Sequence, residues 1–223
     1  MTSAGTRRLL VATHNPGKLR EFEYLLAPHG IAVVGAAAMG LDEPEETGST
    51  FAENALLKAK AAAEATGLVA LADDSGIVVA GLDGAPGILS ARWAGPERDF
   101  DRAIWKVVQG LASRYGSFAA APKDASFVAV LCLCHPDGAH RFFTGRSDGT
   151  LIDVPRGARG FGYDPIFVPD GHARTFAEMT AEEKHAISHR RRALDAFLAA
   201  LAAHDHDLAR TAVSRDIPPA SGP

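Results

Sequence analysis

Two adjacent carboxylates, Asp73 and Asp74, lie in the middle of the run from Thr66 to Leu82, which is otherwise uncharged and mostly apolar. Short apolar, β-branched runs on both sides of the pair predict two buried strands. An ionised carboxylate beside a buried strand costs free energy unless a positive charge compensates it, and two like charges side by side repel each other. A divalent cation is the cheapest compensation. The pair therefore predicts a metal site, and a metal bound by carboxylates indicates phosphate chemistry.

The composition narrows the class of protein. The chain has 223 residues, 47% of them hydrophobic and 22% charged, which suits one globular domain with an ample core. A net charge of -4 gives no electrostatic case for binding a nucleic-acid backbone. We expect no membrane span and no signal peptide, because no uninterrupted apolar segment is long enough for either. These features, with only two cysteines, predict a cytoplasmic enzyme.

The two cysteines, Cys132 and Cys134, lie in the strand-like segment SFVAVLCLCH, where alternation places both side chains on one face. One hypothesis is a thiolate metal site that includes His135. No second Cys/His pair completes a tetrahedral set, so we interpret both cysteines as small buried hydrophobic residues.

Strand patterns and helix patterns are mixed along the chain. Apolar runs at RRLLVAT and IAVVG predict the first two strands. Further on, SFVAVLCLC and HRFFTGRSDGTLID predict an antiparallel pair, and IFVP predicts a short strand. This order predicts an α/β fold with mixed α+β character, in which helices flank a sheet.

Capping residues mark where two helices begin. Thr50 and Glu53 have the spacing of a capping box, which predicts a helix over about residues 51–65. Thr180 and Glu183 repeat this spacing, and one long helix is predicted through ISHRRRALDAFLAALAAH.

A candidate phosphate-binding loop joins the first strand to the first helix. It consists of Thr13, His14, Asn15, Pro16, Gly17 and Lys18. A helix N-terminus offers free N–H groups and a positive dipole end, and Gly17 lets a ligand approach the backbone. The loop is not a Walker A motif, because residue 12 is not glycine and Leu19 stands where Ser or Thr would bind magnesium. An ordinary Pro-Gly turn is the alternative interpretation.

An acidic segment and a lysine accompany the aspartate pair. Glu43, Glu45 and Glu46 precede Gly48, and such a cluster is either a solvated loop or the source of one further metal ligand beside Asp74. Lys58 follows among alanines and leucines. It is either a surface lysine with a buried stem or a cation that balances the carboxylates.

A glycine-rich segment, Arg159 to Pro165, carries two aromatic residues and an acid. Phe161 could stack on a nucleobase, and Gly162, Tyr163 and Asp164 follow it on the same loop. A small satellite core around the two aromatic rings is the alternative interpretation.

A cationic group lies near the start of the last predicted helix. Lys184, His189 and Arg190 form either a solvated positive face or a set of donors for the keto oxygen and ring nitrogens of a base.

Six segments of the chain, taken together and in this order, resemble the inosine triphosphate pyrophosphatase family. The resemblance extends from Leu9 to about Ala200. The segments are ATHNPGKLREF, EETGSTFAENALLKA, ADDSGIVV, GAPGILSARWAG, PRGARGFGYDPIF and MTAEEKHAISHRRRAL. Thr13, Asn15 and Lys18 match the family pattern Ser/Thr-x-Asn-x-x-Lys.

The resemblance implies a long mixed central sheet in a single catalytic domain, residues 1–204, with two lobes and a cleft between them. We expect residues 205–223 to form a mobile tail, because they contain few large apolar side chains. The implied activity is Mg²⁺-dependent hydrolysis of the α–β phosphoanhydride of ITP, dITP and XTP, which would remove non-standard purines from the nucleotide pool. A homodimer is implied as well. Two alternatives are a pyrophosphatase for modified pyrimidine nucleotides and a nucleotide-binding regulator without catalysis.

The resemblance also implies roles for the candidate residues. The loop from Thr13 to Lys18 would hold the triphosphate. Asp74 would bind Mg²⁺ with Glu45 or Glu46 and would activate the attacking water, supported by Asp73 and Lys58. The residues that would contact the rest of the substrate are Ser75, Phe161, Gly162, Tyr163, Asp164, Lys184, His189 and Arg190.

Overall fold

The computed structural model describes residues 7–203, and the predicted mobile tail lies outside the described residues. Strands and helices are mixed along this range, as the sequence predicts. The strands are β1 (Arg7–Val11), β2 (Ile31–Gly35), β3 (Ala70–Val79), β4 (Asp124–Cys134), β5 (His140–Leu151) and β6 (Phe167–Pro169). The α-helices are α1 (Pro16–Leu26), α2 (Phe51–Thr66), α3 (Phe100–Tyr115), α4 (Ala181–Ile187) and α5 (His189–Ala202).

The strands form one mixed sheet, which confirms the predicted fold class. The order in the six-stranded sheet is β2-β1-β3-β4-β5-β6. Strand β1 pairs in parallel with β2 and with β3, whereas β5 and β6 are antiparallel. The parallel start follows from the β1–α1–β2 order, because a parallel pair needs a crossover connection.

Strand β3 differs from the expectation. The sequence predicts two short strands on either side of Asp73 and Asp74, but a single ten-residue strand runs through both aspartates. Polar residues remain inside a buried strand only when their charges are compensated. Lysines from two helices supply that compensation here, as described below, so the pair does not interrupt the strand.

Helix α2 has the predicted boundaries to within one residue. Thr50 Oγ1 accepts a hydrogen bond from the N–H of Glu53 at 3.1 Å, and Gly67 ends the helix with a φ of 68°. The Glu53 carboxylate accepts instead from Ser49, from its N–H at 2.6 Å and its hydroxyl at 2.8 Å.

The sequence predicts one long helix near the C-terminus, but the structure has two helices there, α4 and α5. Helix α4 begins with a complete capping box, in which Thr180 and Glu183 each accept from the other residue's backbone N–H. Ser188 then adopts an extended conformation with a ψ of 152°, and α5 begins at His189. Ser188 Oγ accepts a hydrogen bond from the N–H of Arg191 at 3.1 Å, so this serine caps the start of α5.

The chain divides into two compact units, and β3, β4 and β5 each contribute residues to both. Of the described residues, unit 1 contains 7–74, 130–144 and 193–203, and unit 2 contains 75–129 and 145–192. The buried cluster of unit 1 packs alanines of α2 against β1, β3 and β4. The cluster of unit 2 packs α3 against apolar and aromatic side chains, including Phe127, Phe167 and Phe176. Within the described range, every helix is too short or too polar to cross a membrane.

We predict that both cysteines resist alkylation in the folded protein. Cys132 and Cys134 are fully buried in the unit 1 core, as expected for small hydrophobic residues, and burial raises the pKa of Cys132 to about 12. Ellman's reagent at pH 8 should label neither thiol in the native protein and both in guanidinium chloride. Rapid labelling of the native protein would contradict this burial.

Candidate active site

The loop before α1 is closed by its own hydrogen bonds. Asn15 is the N-cap residue, and its Oδ1 accepts from the N–H groups of Gly17 at 2.9 Å and Lys18 at 3.2 Å. Thr13 Oγ1 accepts from the N–H of Asn15 at 3.2 Å. Pro16 has no N–H to offer. The expectation of free N–H groups is therefore wrong for Gly17 and Lys18, because the cap residue already uses them.

His14 ties this loop to the segment that follows β2. Its Nε2 lies 2.7 Å from the carbonyl oxygen of Leu41, a distance that fits an Nε2–H donor. The imidazole thus holds the loop in place through a backbone acceptor.

Asp73 is paired with Lys18. The Lys18 ammonium forms an ion pair with Asp73 Oδ1 and lies 3.5 Å from the Asp73 carbonyl oxygen. Asp73 is only 1% exposed, so its charge needs such a partner. Lys18 lies in the first turn of α1, and the pair therefore links the candidate phosphate loop to β3.

Asp74 is held by a second lysine. Lys58 Nζ lies 3.2 Å from Asp74 Oδ1 and 2.7 Å from Glu46 Oε1, so one ammonium bridges two carboxylates. The other Asp74 oxygen, Oδ2, is buried and has no hydrogen-bond partner among the described residues. A buried carboxylate oxygen without a partner is rare, and it points to a ligand that the carboxylate would bind.

Burial and neighbouring charges shift the pKa values of this group. Burial raises the pKa of Asp74, and the negative charges of Glu46 and Asp73 oppose the lowering effect of Lys58 and Lys18. Burial alone would lower the pKa of Lys58. The charges of Asp74, Glu46 and Asp73 outweigh it and hold that pKa above its usual value. Lys58 is therefore ammonium at neutral pH.

The compensating charges correct one step of the sequence argument. The carboxylates are expected to need a divalent cation, but Lys18 and Lys58 already compensate Asp73 and Asp74. Within residues 7–203, no three His, Cys, Asp or Glu side chains stand close enough together to hold a metal ion unaided.

The donor set nevertheless fits a hard cation. Asp74 Oδ2 and the Glu46 carboxylate are oxygen donors on either side of Lys58, and oxygen ligands suit Mg²⁺, which often binds through one or two carboxylates plus substrate phosphates. Glu45 is exposed, whereas Glu46 is half-buried against Lys58. The structure therefore favours Glu46 over Glu45 as the second carboxylate.

In unit 2, three of the predicted residues form one compact group. Lys184 Nζ lies 2.6 Å from Asp164 Oδ2 and 4.8 Å from the centroid of the Phe161 ring. Asp164 Oδ2 also accepts from the N–H of Phe161 at 2.9 Å. Phe161 is half-buried, and the cation on its ring fixes the ring's orientation.

Glycine at position 160 is required by this group. A Cβ there would lie 2.0 Å from Asp164 Oδ2, and the φ of 73° already disfavours other residues. Gly162 has a φ of 69°, so the loop turns twice around Phe161.

Tyr163 is a core residue. Its ring meets Phe100 edge to face, with 5.8 Å between centroids, and its hydroxyl donates to the carbonyl oxygen of Ser90 at 2.9 Å. Its side chain is 2% exposed, which favours the satellite-core interpretation for Tyr163.

The remaining predicted residues of unit 2 lie around Arg190. The guanidinium of Arg190 is buried, and its Nη2 donates to Ser75 Oγ at 2.9 Å. Burial lowers the pKa of Arg190 to about 9, which leaves it charged at neutral pH. The His189 ring stacks on Phe127 with 4.9 Å between centroids. Neither Arg190 nor His189 belongs to a solvated face.

The sequence analysis does not identify Asn54 as a candidate residue. Asn54 of α2 is fully buried, and its Oδ1 accepts from the N–H of Gly48 at 2.8 Å. The available signal was its position four residues before Lys58, which places both side chains on one face of the helix.

A six-stranded mixed sheet with flanking helices defines an α/β protein. The chain belongs to the Ham1 family, whose model matches residues 9–200.

Named relatives and solved structures agree with this assignment. The chain is 53% identical to a dITP/XTP pyrophosphatase of Brucella melitensis, over 85% of this chain and 91% of the relative. It is 56% identical to a dITP/XTP pyrophosphatase of Zymomonas mobilis, over 86% of this chain and 91% of the relative. A HAM1 protein from Coxiella burnetii has a similar structure, with a TM-score of 0.79, 40% identity, and coverage of 88% of this chain and 98% of that one.

We predict that replacing Lys184 alone destabilises the protein more than replacing Lys184 and Asp164 together. Lys184→Met leaves a buried carboxylate without its ammonium and should lower the free energy of unfolding by about 3–5 kcal/mol. Adding Asp164→Asn removes that charge and keeps an acceptor for the Phe161 N–H, so much of the loss should be recovered. Urea denaturation measures both changes.

Arg114→Met provides the control for that experiment. Arg114 pairs with Asp83 at the surface, where solvent screens the charges, so this variant should unfold at nearly the wild-type urea concentration. Equal losses in Lys184→Met and Arg114→Met would contradict the importance of the buried pair.

Proposed function

We propose that this chain is a nucleoside triphosphate pyrophosphatase that hydrolyses ITP, dITP and XTP to the monophosphate and pyrophosphate. Membership of the Ham1 family and the names of relatives at about half identity support this activity. In the cell it would remove non-standard purine nucleotides from the pool.

The observation that carries the proposal is how the two carboxylate oxygens of Asp74 are partnered. Its Oδ1 is paired with Lys58, and its Oδ2 is buried without a partner among the described residues. Each oxygen of an ionised carboxylate has two lone pairs, so the available Oδ2 is suited both to hold a cation and to accept a proton. The neighbouring Lys18 and Lys58 supply cations for phosphate oxygens.

We propose Mg²⁺ as the metal, held by Asp74 and Glu46. A bound Mg²⁺ supplies charge stabilisation on the phosphate oxygens and helps to orient the attacking water. The ammonium groups of Lys18 and Lys58 face three carboxylates, those of Asp73, Asp74 and Glu46. The cluster therefore has one excess negative charge, which by itself would repel a triphosphate. A divalent cation reverses that sign.

The chain's own residues then perform the hydrolysis. Asp74 accepts the proton from a water as its oxygen bonds to the α-phosphorus, and the bond from that phosphorus to the bridging oxygen breaks. Pyrophosphate leaves with the bridging oxygen, and Lys58 and Lys18 donate to the phosphate oxygens.

Base selection is assigned to unit 2. Phe161 would stack on the purine, while Arg190, His189 and Lys184 would donate to its edge. A donor that faces position 6 pairs with the keto oxygen of hypoxanthine or xanthine. Adenine presents an amino group there, which would leave the donor unpaired at a cost of about 1–3 kcal/mol.

The remaining expectations stay predictions. They are a homodimer, a cytoplasmic location and a cleft in a two-lobed domain. Light scattering after size-exclusion chromatography tests the first of them, and a monomer at micromolar concentration would count against it.

We predict selective release of pyrophosphate. Purified protein with Mg²⁺ should release pyrophosphate from ITP, dITP and XTP at least tenfold faster than from ATP, because one unpaired buried donor corresponds to about that factor. A coupled pyrophosphate assay over a panel of triphosphates, including modified pyrimidine nucleotides, measures this. Equal rates on ITP and ATP would refute the selectivity. Tight ITP binding without turnover would favour a non-catalytic regulator.

We predict that Asp74→Asn abolishes turnover without unfolding the protein. The amide keeps the shape of the side chain but neither accepts a proton nor binds a cation strongly, so kcat should fall by about 10²–10⁴-fold. Asp83→Asn, at an exposed aspartate, is the matched control and should keep full activity. Circular dichroism checks that both variants fold. A fully active Asp74→Asn protein would remove Asp74 from the mechanism.

A further inference from the structure

We propose that Asn54 is a positioning residue that fixes the acidic segment carrying Glu46, and thereby sets how tightly the site binds Mg²⁺. The inference rests on the proposed function, because it assigns Glu46 to the metal. Asn54 does not contact the reacting atoms in this role. It acts through the backbone of Gly48.

The Asn54 amide has one defined orientation. Its Oδ1 accepts from the N–H of Gly48 at 2.8 Å, and the reverse orientation would bring two donors together. The side chain is fully buried, so water does not compete for this hydrogen bond.

Gly48 is fitted closely against the start of α2. A Cβ at position 48 would lie 2.6 Å from Asn54 Oδ1 and 2.7 Å from the Cβ of Glu53, closer than real Cβ contacts. Ser49 adds two further hydrogen bonds, from its N–H and hydroxyl to the Glu53 carboxylate. The segment after Glu46 is thus attached to α2 at two successive residues.

The same helix carries the cation that contacts Glu46. Lys58 lies four residues after Asn54, so both side chains share one face of α2. Glu46 is two residues before Gly48, and its Oε1 lies 2.7 Å from Lys58 Nζ. Asn54 and Lys58 therefore fix the backbone and the carboxylate of this segment, respectively, from one rigid element.

A role in stability alone accounts poorly for Asn54. Its Nδ2 is buried without a hydrogen-bond partner among the described residues, which is an unfavourable arrangement for a buried amide. The hydrogen bond from Gly48 to Asn54 Oδ1 instead restrains the backbone of Gly48. Residues that orient metal ligands in this indirect way typically change metal affinity by about 10–100-fold when they are replaced.

The test compares Asn54→Ala with Thr50→Ala. Both residues lie at the start of α2, but Thr50 accepts from the N–H of Glu53, whereas Asn54 accepts from the N–H of Gly48. Asn54→Ala should raise the Mg²⁺ concentration for half-maximal ITP hydrolysis by about 10-fold or more and leave KM for ITP at saturating Mg²⁺ nearly unchanged. Thr50→Ala should leave both values nearly unchanged.

Hydrogen exchange provides a second measurement that needs neither metal nor substrate. The amide of Gly48 should exchange faster in Asn54→Ala than in the wild-type protein, because its acceptor is gone, and should keep its protection in Thr50→Ala. Gly48→Ala disturbs the same contact from the loop side and should also raise the Mg²⁺ requirement. This variant decides the question if Asn54→Ala does not fold.

The outcomes separate the inference from the proposed function. A wild-type protein without Mg²⁺-dependent hydrolysis overturns the proposed function, and the metal role of Asn54 with it. An active wild-type protein with an unchanged Mg²⁺ requirement in Asn54→Ala, or in Gly48→Ala where Asn54→Ala does not fold, overturns only the role of Asn54. An equal rise in Thr50→Ala also overturns it, because the effect would then belong to the helix end in general.

Discussion

The pairing of Asp73 with Lys18 and of Asp74 with Lys58 is the interaction on which the site depends. Both aspartates lie on β3, a buried strand that could not hold their charges without partners. Lys18 comes from the start of α1 and Lys58 from the middle of α2, so these ion pairs attach both helices to the strand. Breaking either pair would leave a buried charge uncompensated.

On the proposed function, this pairing would make ligand binding an exchange of partners. A triphosphate that takes Lys18 and Lys58 leaves Asp73 and Asp74 without their cations, and the capped N–H groups of Gly17 and Lys18 already have an acceptor in Asn15. The carboxylates then need a new positive charge, which a divalent cation supplies. On the proposed function, metal and triphosphate should therefore bind together more readily than either alone, because each restores the balance that the other disturbs.

The sequence predicts local structure well where the signal is local. The spacing of Thr50 and Glu53 predicts α2 to within one residue at each end. The continuity of β3 through Asp73 and Asp74 has no such signal, because it depends on lysines 55 and 16 residues away in the chain. Tyr163 shows the same limit. Its hydroxyl partner, Ser90, is 73 residues away, so its burial follows from tertiary packing alone.

Arg190 is a charged side chain whose burial costs free energy. Its guanidinium is only 1% exposed, and burial lowers its pKa, so the folded protein holds a charge where an apolar side chain would be less costly. Ser75, the residue after Asp74, accepts from one of its nitrogens. A planar guanidinium keeps several N–H groups in fixed directions, which suits recognition of a keto oxygen better than a flexible ammonium would. On the proposed function, Arg190 would use these N–H groups to recognise the base.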